Sequence, residues 1–349
     1  MPYLNVAQVG TSIFPVPPAD HGGTERMIHD LSLALHRLGV HVTLFAPSDS
    51  TTAVRRIGAL PSLAALENTY ENIPPGVPAL LDAVRMDELR TAAHQFDVIH
   101  CHCEFVHAPT LGALRKRSLT TVHWRTDELD RQLFFETFPD LPVAAISRSQ
   151  EAAIPLANRR GVVHHGIDAD RYRLSLETHG YLAFIGRLTD QKRPDVAIEI
   201  AHKTGRQLNI AGTIDPGNPT YFEQRVRPHL GHTIAYVGPL CDRAKNDFLG
   251  HADALLFPID WPEPFGLVMI EAMACGTPVI AWNRGSVPEI VEDGVTGFIV
   301  ENIEEATAAV SRLHQLDRAT IRKRFEARFT ADRMARDYLA IYHQIATHS

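Results

Sequence analysis

Two glutamates are the residues of this 349-residue chain best placed to do chemistry. Glu263 and Glu271 are separated by Pro-Phe-Gly-Leu-Val-Met-Ile, inside the stretch Ile259 to Pro278. The apolar run from Asp253 to Ile259 reads as a buried strand. Pro262 and Pro264 bracket Glu263 in a loop, and Leu267 to Cys275 reads as a short helix stopped by Gly276 and Pro278. A loop that ends at a helix N-terminus offers unpaired amides and the positive end of the helix dipole, which favour an anion such as phosphate. Gly266 lacks a Cβ, so an anion can approach its backbone. Glu271 lies about one turn into the helix, too deep to cap it. It can accept two hydrogen bonds from a ribose diol while the amides of Gly266, Leu267 and Val268 hold phosphates. Glu263 projects toward the other end of such a ligand. Two isolated glutamates would be solvated charges; the strand–loop–helix context favours a site.

A second group is cationic. Tyr181 to Ile185 reads as a strand, followed by Gly186, Arg187 and, further along the loop, Lys192, Arg193 and Pro194. Pro194 suits the first turn of a helix from Asp195 to Lys203. Arg187 can grip phosphate oxygens as a fork and Lys192 as a point charge. Together they would balance the charge of a bound phosphate.

Histidines and glycines form a third group. Thr120 to Trp124 is a short strand with His123 at its carboxyl end, where ligands gather in parallel sheets. Gly22 and Gly23 precede a helix from about Thr24 to Leu38, with Thr24 either its cap or a ligand group. The run His100-Cys101-His102-Cys103 invites a metal reading. Strand alternation defeats it, because the histidines face one way and the cysteines the other. No metal is expected. Asp168 and Asp170 read as turn and capping groups.

These groups need a scaffold. Leu4 to Val9, the helix after Gly23, and Val40 to Ala46 form a strand–helix–strand unit of a parallel sheet. Phe96 to Cys103 ends as a strand. Ser147 is expected to cap a helix after the strand Val143 to Ser147. Leu208 to Gly212, Thr233 to Gly238, Val279 to Trp282 and Gly294 to Val300 supply strands to a second sheet. Ser286 to Glu289 reads as a capping box. Glu304 to Leu313 and Ala319 to His348 read as helices. The arginines of the last stretch read as a solvated face, in preference to a membrane-binding one. Residues Thr51 to Glu88 are Pro-rich and are expected to include short helices and part of the acceptor side.

The length suits about two domains. A net charge of −7 with a pI near 6.2 argues against nucleic acid as a partner. Four cysteines do not make a disulfide framework in so long a chain, so a reducing, cytoplasmic setting is expected. The first residues lack a signal-peptide pattern and no run reaches membrane-spanning length.

The segment Glu263 to Glu271, followed by Ala-Met-Ala-Cys-Gly-Thr-Pro-Val-Ile-Ala to Ala281, resembles the Glu-x7-Glu signature of retaining, nucleotide-sugar-dependent glycosyltransferases of family four. The Gly186-Arg187 to Lys192 spacing resembles that family's second hallmark, and the Gly22-Gly23 loop its first glycine-rich loop. The resemblance covers nearly the whole chain. It is strongest from Gly180 to Val300 and weakest from Ser48 to Leu89.

The resemblance implies an α/β GT-B fold, two Rossmann-like domains facing an interdomain cleft. These would be residues 1–166 on the acceptor side, joined by a returning C-terminal helix at 331–349, and 167–330 binding the nucleotide sugar. It implies transfer of a sugar, with retention, from a nucleotide diphosphate sugar to an acceptor hydroxyl. UDP is favoured over GDP or ADP, and no cofactor is required. The acceptor is a sugar, a lipid-linked sugar or a small metabolite. Peripheral membrane contact is not favoured.

Glu263, His123, Arg187 and Lys192 are then the catalytic set, with His123 reaching the donor sugar. Glu263 acts electrostatically, or less favourably as a nucleophile. Donor contacts come from Gly22, Gly23, Arg187, Lys192, Phe265, Gly266, Leu267, Val268 and Glu271, with Pro239 and Leu240 against the base. Arg125 departs from the acidic residue common after the family's histidine, and His165 stands where Asn is usual. Competing readings are a sugar-nucleotide epimerase or hydrolase on the same fold, and a nucleotide-sugar-binding protein that has lost catalysis. No Gly-x-Gly-x-x-Gly follows a strand, which disfavours a dehydrogenase.

Overall fold

The structure, a computed structural model, describes residues 4–19 and 22–347. The first three residues of the signal-peptide reading, Asp20 and His21 of the first glycine loop, and His348 of the last helix lie outside the described residues. The chain divides into one unit of Met1–Gly166 with Ala331–Ser349, and a second of Ile167–Thr330. Each is a Rossmann-like α/β unit built on a parallel sheet.

The first unit's strands are β1 (Asn5–Val9), β2 (His41–Phe45), β3 (Arg55–Ile57), β4 (Val98–Cys101), β5 (Ser118–Thr121), β6 (Val143–Ala145) and β7 (Arg159–Val162). They run β3-β2-β1-β4-β5-β6-β7, every neighbour parallel. The order reverses between β1 and β4, so a crevice opens beyond their carboxyl ends.

Helical spacing in Gly23–Arg37 turns Met27, Ile28, Leu31 and Leu35 inward. They meet Met334, Tyr338, Ile341 and Tyr342 of the C-terminal helix Ala331–Thr347 on one face of the sheet. Burying each such aliphatic side chain contributes roughly 1.5–3 kcal/mol. The opposite face takes Met86 and Leu89 of helix Val77–Ala92 against Phe45, Phe96, Cys101 and Cys103. Alternation along β4 therefore separates its cysteines from His100 and His102, as the sequence implied.

The second unit's strands are β8 (Tyr181–Ile185), β9 (Gln207–Ala211), β10 (Ile234–Gly238), β11 (Ala252–Phe257), β12 (Val279–Trp282) and β13 (Gly297–Val300). Their order is β10-β9-β8-β11-β12-β13, again all parallel, and the reversal falls between β8 and β11. Gly212 must be glycine here: a Cβ would collide with the Gly186 carbonyl where the ends of β8 and β9 converge.

Three expectations change. The stretch Ala319 to His348 is not one helix. It breaks at Phe329 and Thr330 into Arg318–Arg328 and Ala331–Thr347, where Thr330 bridges to Ile167 and the chain leaves the second unit. Nor are its arginines simply a solvated face. Arg318 donates to the carbonyls of Ser175, Gly250 and Ala252 at 2.6–2.9 Å, and Arg322 to those of Ala169, Tyr172 and Ala274 at 2.7–3.0 Å. Those two arginines clamp the helix to the second unit's backbone. Finally, β3 was hidden in the Pro-rich stretch, because an edge strand reading Arg-Arg-Ile carries no apolar alternation. Among the described residues no helix is long and apolar enough to cross a membrane.

Candidate functional site

In the second unit both loops singled out by sequence leave the two strands that flank the reversal. The Arg187–Lys192 loop follows β8, and the Glu263 loop follows β11. They are tied together: the Asp260 amide donates to the Gln191 carbonyl at 2.8 Å, and Arg193 pairs with Asp260 at 3.3 Å. Arg193 itself sits at φ 56°, a left-handed conformation rare for a residue with a side chain, just before helix Pro194–Thr204.

Glu263 is only 7% exposed and Glu271 only 8%, so each buried carboxylate needs partners. Glu263 has two on one oxygen. Lys192 Nζ forms an ion pair with Oε2, and the Trp261 indole N–H donates to it at 2.7 Å. The Lys192 ammonium also lies 4.8 Å from the Trp261 ring centroid and 5.7 Å from that of Phe257, close enough for cation–π attraction. Glu271 is held by Lys245 Nζ at 2.9 Å, from helix Asp242–Gly250. The buried Tyr172 hydroxyl nearby is raised well above its ordinary pKa, first by burial and then by the Glu271 charge.

Between the glutamates lies the N-terminus of helix Leu267–Ala274, and Gly266 precedes it at φ 77°, ψ 67°. Glycine is required by that backbone, and a Cβ would also press on Met269 and Phe257. The Met269 amide returns to the Gly266 carbonyl at 3.0 Å, and no side chain caps the helix, which leaves the amides ahead of Met269 as its open N-terminal donors. Arg187 is exposed, and among the described residues it has no ion-pair partner. Leu240 lies just past β10, partly exposed.

The expected capping box at Ser286 is not formed. Ser286 makes no side-chain cap; its hydroxyl donates to the Phe265 carbonyl at 2.8 Å and its amide to the Glu263 carbonyl at 3.0 Å. Gly285, at φ 53°, packs so closely on the Glu263 backbone that a Cβ would collide with it. The turn thus holds the Glu263 loop from behind.

In the first unit, Gly22 caps helix Gly23–Arg37 at φ 134°, and Thr24 lies inside the helix, so the cap expected at Thr24 belongs to the glycine. His123, just past β5, is half-buried; burial pushes it down to about 3. Its Nε2 is 3.0 Å from His102 Nδ1, and its ring stacks on His165 at 5.3 Å between centroids. Burial first, and neighbouring histidines second, also hold His100, His102 and His165 well below the ordinary histidine range. Every nitrogen of His100 and His102 already has a hydroxyl, amide or imidazole partner. Arg125 is paired with Asp127 at 2.7 Å. Asp168 accepts from the Asp170 amide at 3.0 Å, a turn as expected, and Ser147 caps its short helix through the Gln150 amide.

Residues 21–171 match the model of the Glycosyltransferase Family 4, and residues 168–328 match that of the Glycosyl transferases group 1. The chain is a family-four glycosyltransferase. Among its relatives are the D-inositol 3-phosphate glycosyltransferases of Mycobacterium leprae and Mycolicibacterium smegmatis. Each is 27% identical, over 85% and 90% of this chain and 81% and 83% of their own. Its fold matches AviGT4, a glycosyltransferase involved in avilamycin A biosynthesis, with TM-score 0.78 and 23% identity over 99% of both chains. It also matches Anabaena HepE in complex with UDP and glucose, with TM-score 0.75 and 18% identity over 98% of this chain and all of the other.

Several residues that build this candidate site carried no clear signal of that role in the sequence. Lys245 lies outside every motif singled out in the sequence, and Trp261, Gly285 and Ser286 act through contacts that only the fold creates. Trp261 alone offered a hint, as a large aromatic in a loop two positions before Glu263.

Proposed function

We propose that this glycosyltransferase moves a hexose from a UDP-sugar to an acceptor hydroxyl with retention at the anomeric carbon, the protein supplying the cationic charge itself. The observation that carries the reading is the second unit's arrangement: a helix N-terminus set between two buried glutamates, each held by a lysine. Arg187 and the amides of Gly266, Leu267 and Val268 receive the diphosphate, and Lys192 adds its charge beside them. Glu271 accepts the ribose hydroxyls while Lys245 keeps it in place. Leu240 and Pro239 border the base.

The glycosidic C–O bond to the leaving phosphate breaks as the acceptor oxygen bonds to the same face of the anomeric carbon. The acceptor's proton passes to the departing phosphate oxygen. Arg187 and Lys192 stabilise the charge that develops there. Glu263 faces the oxocarbenium-like centre as a fixed anion. With Lys192 and Trp261 both on one of its oxygens, it is better suited to electrostatic work than to attack. His123 and the Gly22-Gly23 turn meet sugar hydroxyls on the first unit. The UDP of the HepE complex supports uracil as the base, and the inositol phosphate relatives make a phosphorylated polyol an acceptor to try beside sugars. The buried free thiols Cys101, Cys103 and Cys275 support a reducing, cytoplasmic setting.

A thermal-shift screen of UDP, GDP and ADP tests the donor half. A nucleotide at 100 times its Kd adds about 2.7 kcal/mol of stability. Turnover of the matching hexose donor, with and without EDTA, and the anomeric configuration of the product test the rest. An inverted product, or activity abolished by EDTA, would refute this mechanism.

A further inference from the structure

His123 ends a line of buried hydrogen bonds that the chemistry above does not use. His102 Nδ1 lies 3.0 Å from His123 Nε2, and His102 Nε2 lies 2.7 Å from Gln8 Oε1. Gln8 Nε2 donates to the Tyr342 hydroxyl at 2.8 Å, which lies 2.6 Å from His100 Nδ1. His100 Nε2 continues to Thr121 Oγ1 at 2.7 Å, and that to the Tyr338 hydroxyl at 2.9 Å. Gln8, His100, His102, Thr121, Tyr338 and Tyr342 are all sealed from solvent. The line runs through β1, β4 and β5 and ends in the C-terminal helix.

Such a line has a direction. Gln8 Oε1 can only accept, so His102 Nε2 carries the proton. A neutral His102 then has its lone pair at Nδ1, and His123 must donate through Nε2. Burial keeps both rings neutral. His123 is left with Nδ1 as its acceptor atom, and among the described residues nothing bonds to it. The Tyr342 hydroxyl sets the sense of the whole line, because it takes the Gln8 amide N–H and leaves the amide oxygen for His102. Loss of that hydroxyl frees the amide to turn over and reverse every bond up to His123.

We propose that Gln8, His102 and Tyr342 are positioning residues that fix His123 in its Nε2–H tautomer, so that Nδ1 accepts a hydrogen bond from a hydroxyl of the sugar substrate. This rests on the reading of His123 as a sugar-hydroxyl contact. The C-terminal helix is then part of the substrate machinery as well as of the core.

Long-range proton–nitrogen spectra of the 15N-labelled full chain decide the tautomer without any substrate. The His123 signals are identified by their loss in His123→Asn. The wild type shows a single form protonated at Nε2. Tyr342→Phe and Gln8→Leu show the second tautomer, and the isosteric Tyr342→Phe keeps a single cooperative unfolding transition, its midpoint lowered by the two buried hydrogen bonds it loses. In release of UDP from UDP-glucose, His123→Asn lowers kcat about tenfold, the worth of one good hydrogen bond, and Tyr342→Phe lowers it less. KM changes little in either. A proton on His123 Nδ1 in the wild type, or one unchanged Nε2–H form in both variants, overturns the proposal. Unchanged kcat in His123→Asn, with the tautomer split by Tyr342→Phe, refutes the sugar-hydroxyl reading alone and leaves the positioning line standing.

Discussion

The two units share a sheet order and use it differently. In both, the strand order reverses between the first strand and the one that follows the third. At that place the second unit carries Arg187, Lys192, Glu263 and, through its helix, Glu271. The first carries Gln8, His100 and His102, linked through Tyr342 and, past the end of β5, to His123 by neutral hydrogen bonds. One crevice is built from charge and the other from direction. A diphosphate needs compensation of charge, which strengthens as water is excluded. A sugar hydroxyl needs donors and acceptors of fixed sense, which neutral imidazoles and amides supply without the cost of burying ions.

The largest effect is expected from removing the charge at the centre of the second unit. Glu263→Gln keeps the side chain's size and its contact with Trp261 while leaving Lys192 without its counter-ion. Loss of a preorganised charge from such a site costs on the order of 10²–10³ in kcat. Steady-state kinetics beside a melting curve test this. Near-normal kcat in a folded variant would mean that charge is not what the second crevice is for.

The first unit is tested by acid. His123 titrates at about 3 when folded, and His100, His102 and His165 are likewise depressed by burial. An unfolded histidine takes up its proton near pH 6.5. As pH falls below that value, the unfolded state binds protons that the folded state refuses, so stability is full above pH 6.5 and declines toward pH 3. At pH 5 His123 alone accounts for a loss of about 2 kcal/mol, and the others act in the same direction. Hydrogen exchange at pH 7 and pH 5 should show amides of β4 and β5 losing protection. No loss there would mean that the first crevice is not a neutral network.

Arg187→Ala gives a smaller and cleaner effect. The side chain is exposed and, among the described residues, makes no ion pair, so stability should stay within about 0.5 kcal/mol of wild type. Affinity for nucleoside diphosphate should fall about tenfold, the worth of one charge-assisted hydrogen bond. Calorimetric titration with UDP measures it. Unchanged affinity would leave Lys192 and the helix amides as the whole anion site.

What the sequence revealed follows the same division. The charged crevice was legible because its signals are local: Glu263 to Glu271 and Gly186 to Lys192 are short stretches whose spacing already implies strand, loop and helix. The neutral crevice was legible only in part, as His123 at one strand end and His100 and His102 on one face of another. Gln8 and Tyr342 are far apart in sequence and meet only because the C-terminal helix packs on the β1–β4–β5 sheet. The helix break at Phe329 and Thr330 has no glycine or proline to announce it. The clamps made by Arg318 and Arg322 look, in sequence, like ordinary helix charge.

The smallest expected effect separates a structural serine from a site serine. Ser147 and Ser286 each precede a helix of four residues, and each was read as a cap. Ser147 accepts from the Gln150 amide at 3.1 Å and touches nothing in the proposed chemistry. Ser286 gives its hydroxyl to the Phe265 carbonyl and its amide to the Glu263 carbonyl, so it fixes the loop between the buried glutamate and the helix N-terminus. Either serine changed to alanine should cost about 1 kcal/mol of stability, the net worth of one hydrogen bond or cap. Only Ser286→Ala should also lower kcat, because only there does the lost bond loosen the geometry around Glu263. Parallel melting curves and turnover for the two variants make the test. Equal kcat in both would mean that the Glu263 loop is held by the Gly285 contact and the Lys192 pair alone, and that the serine is mere scaffolding in both units.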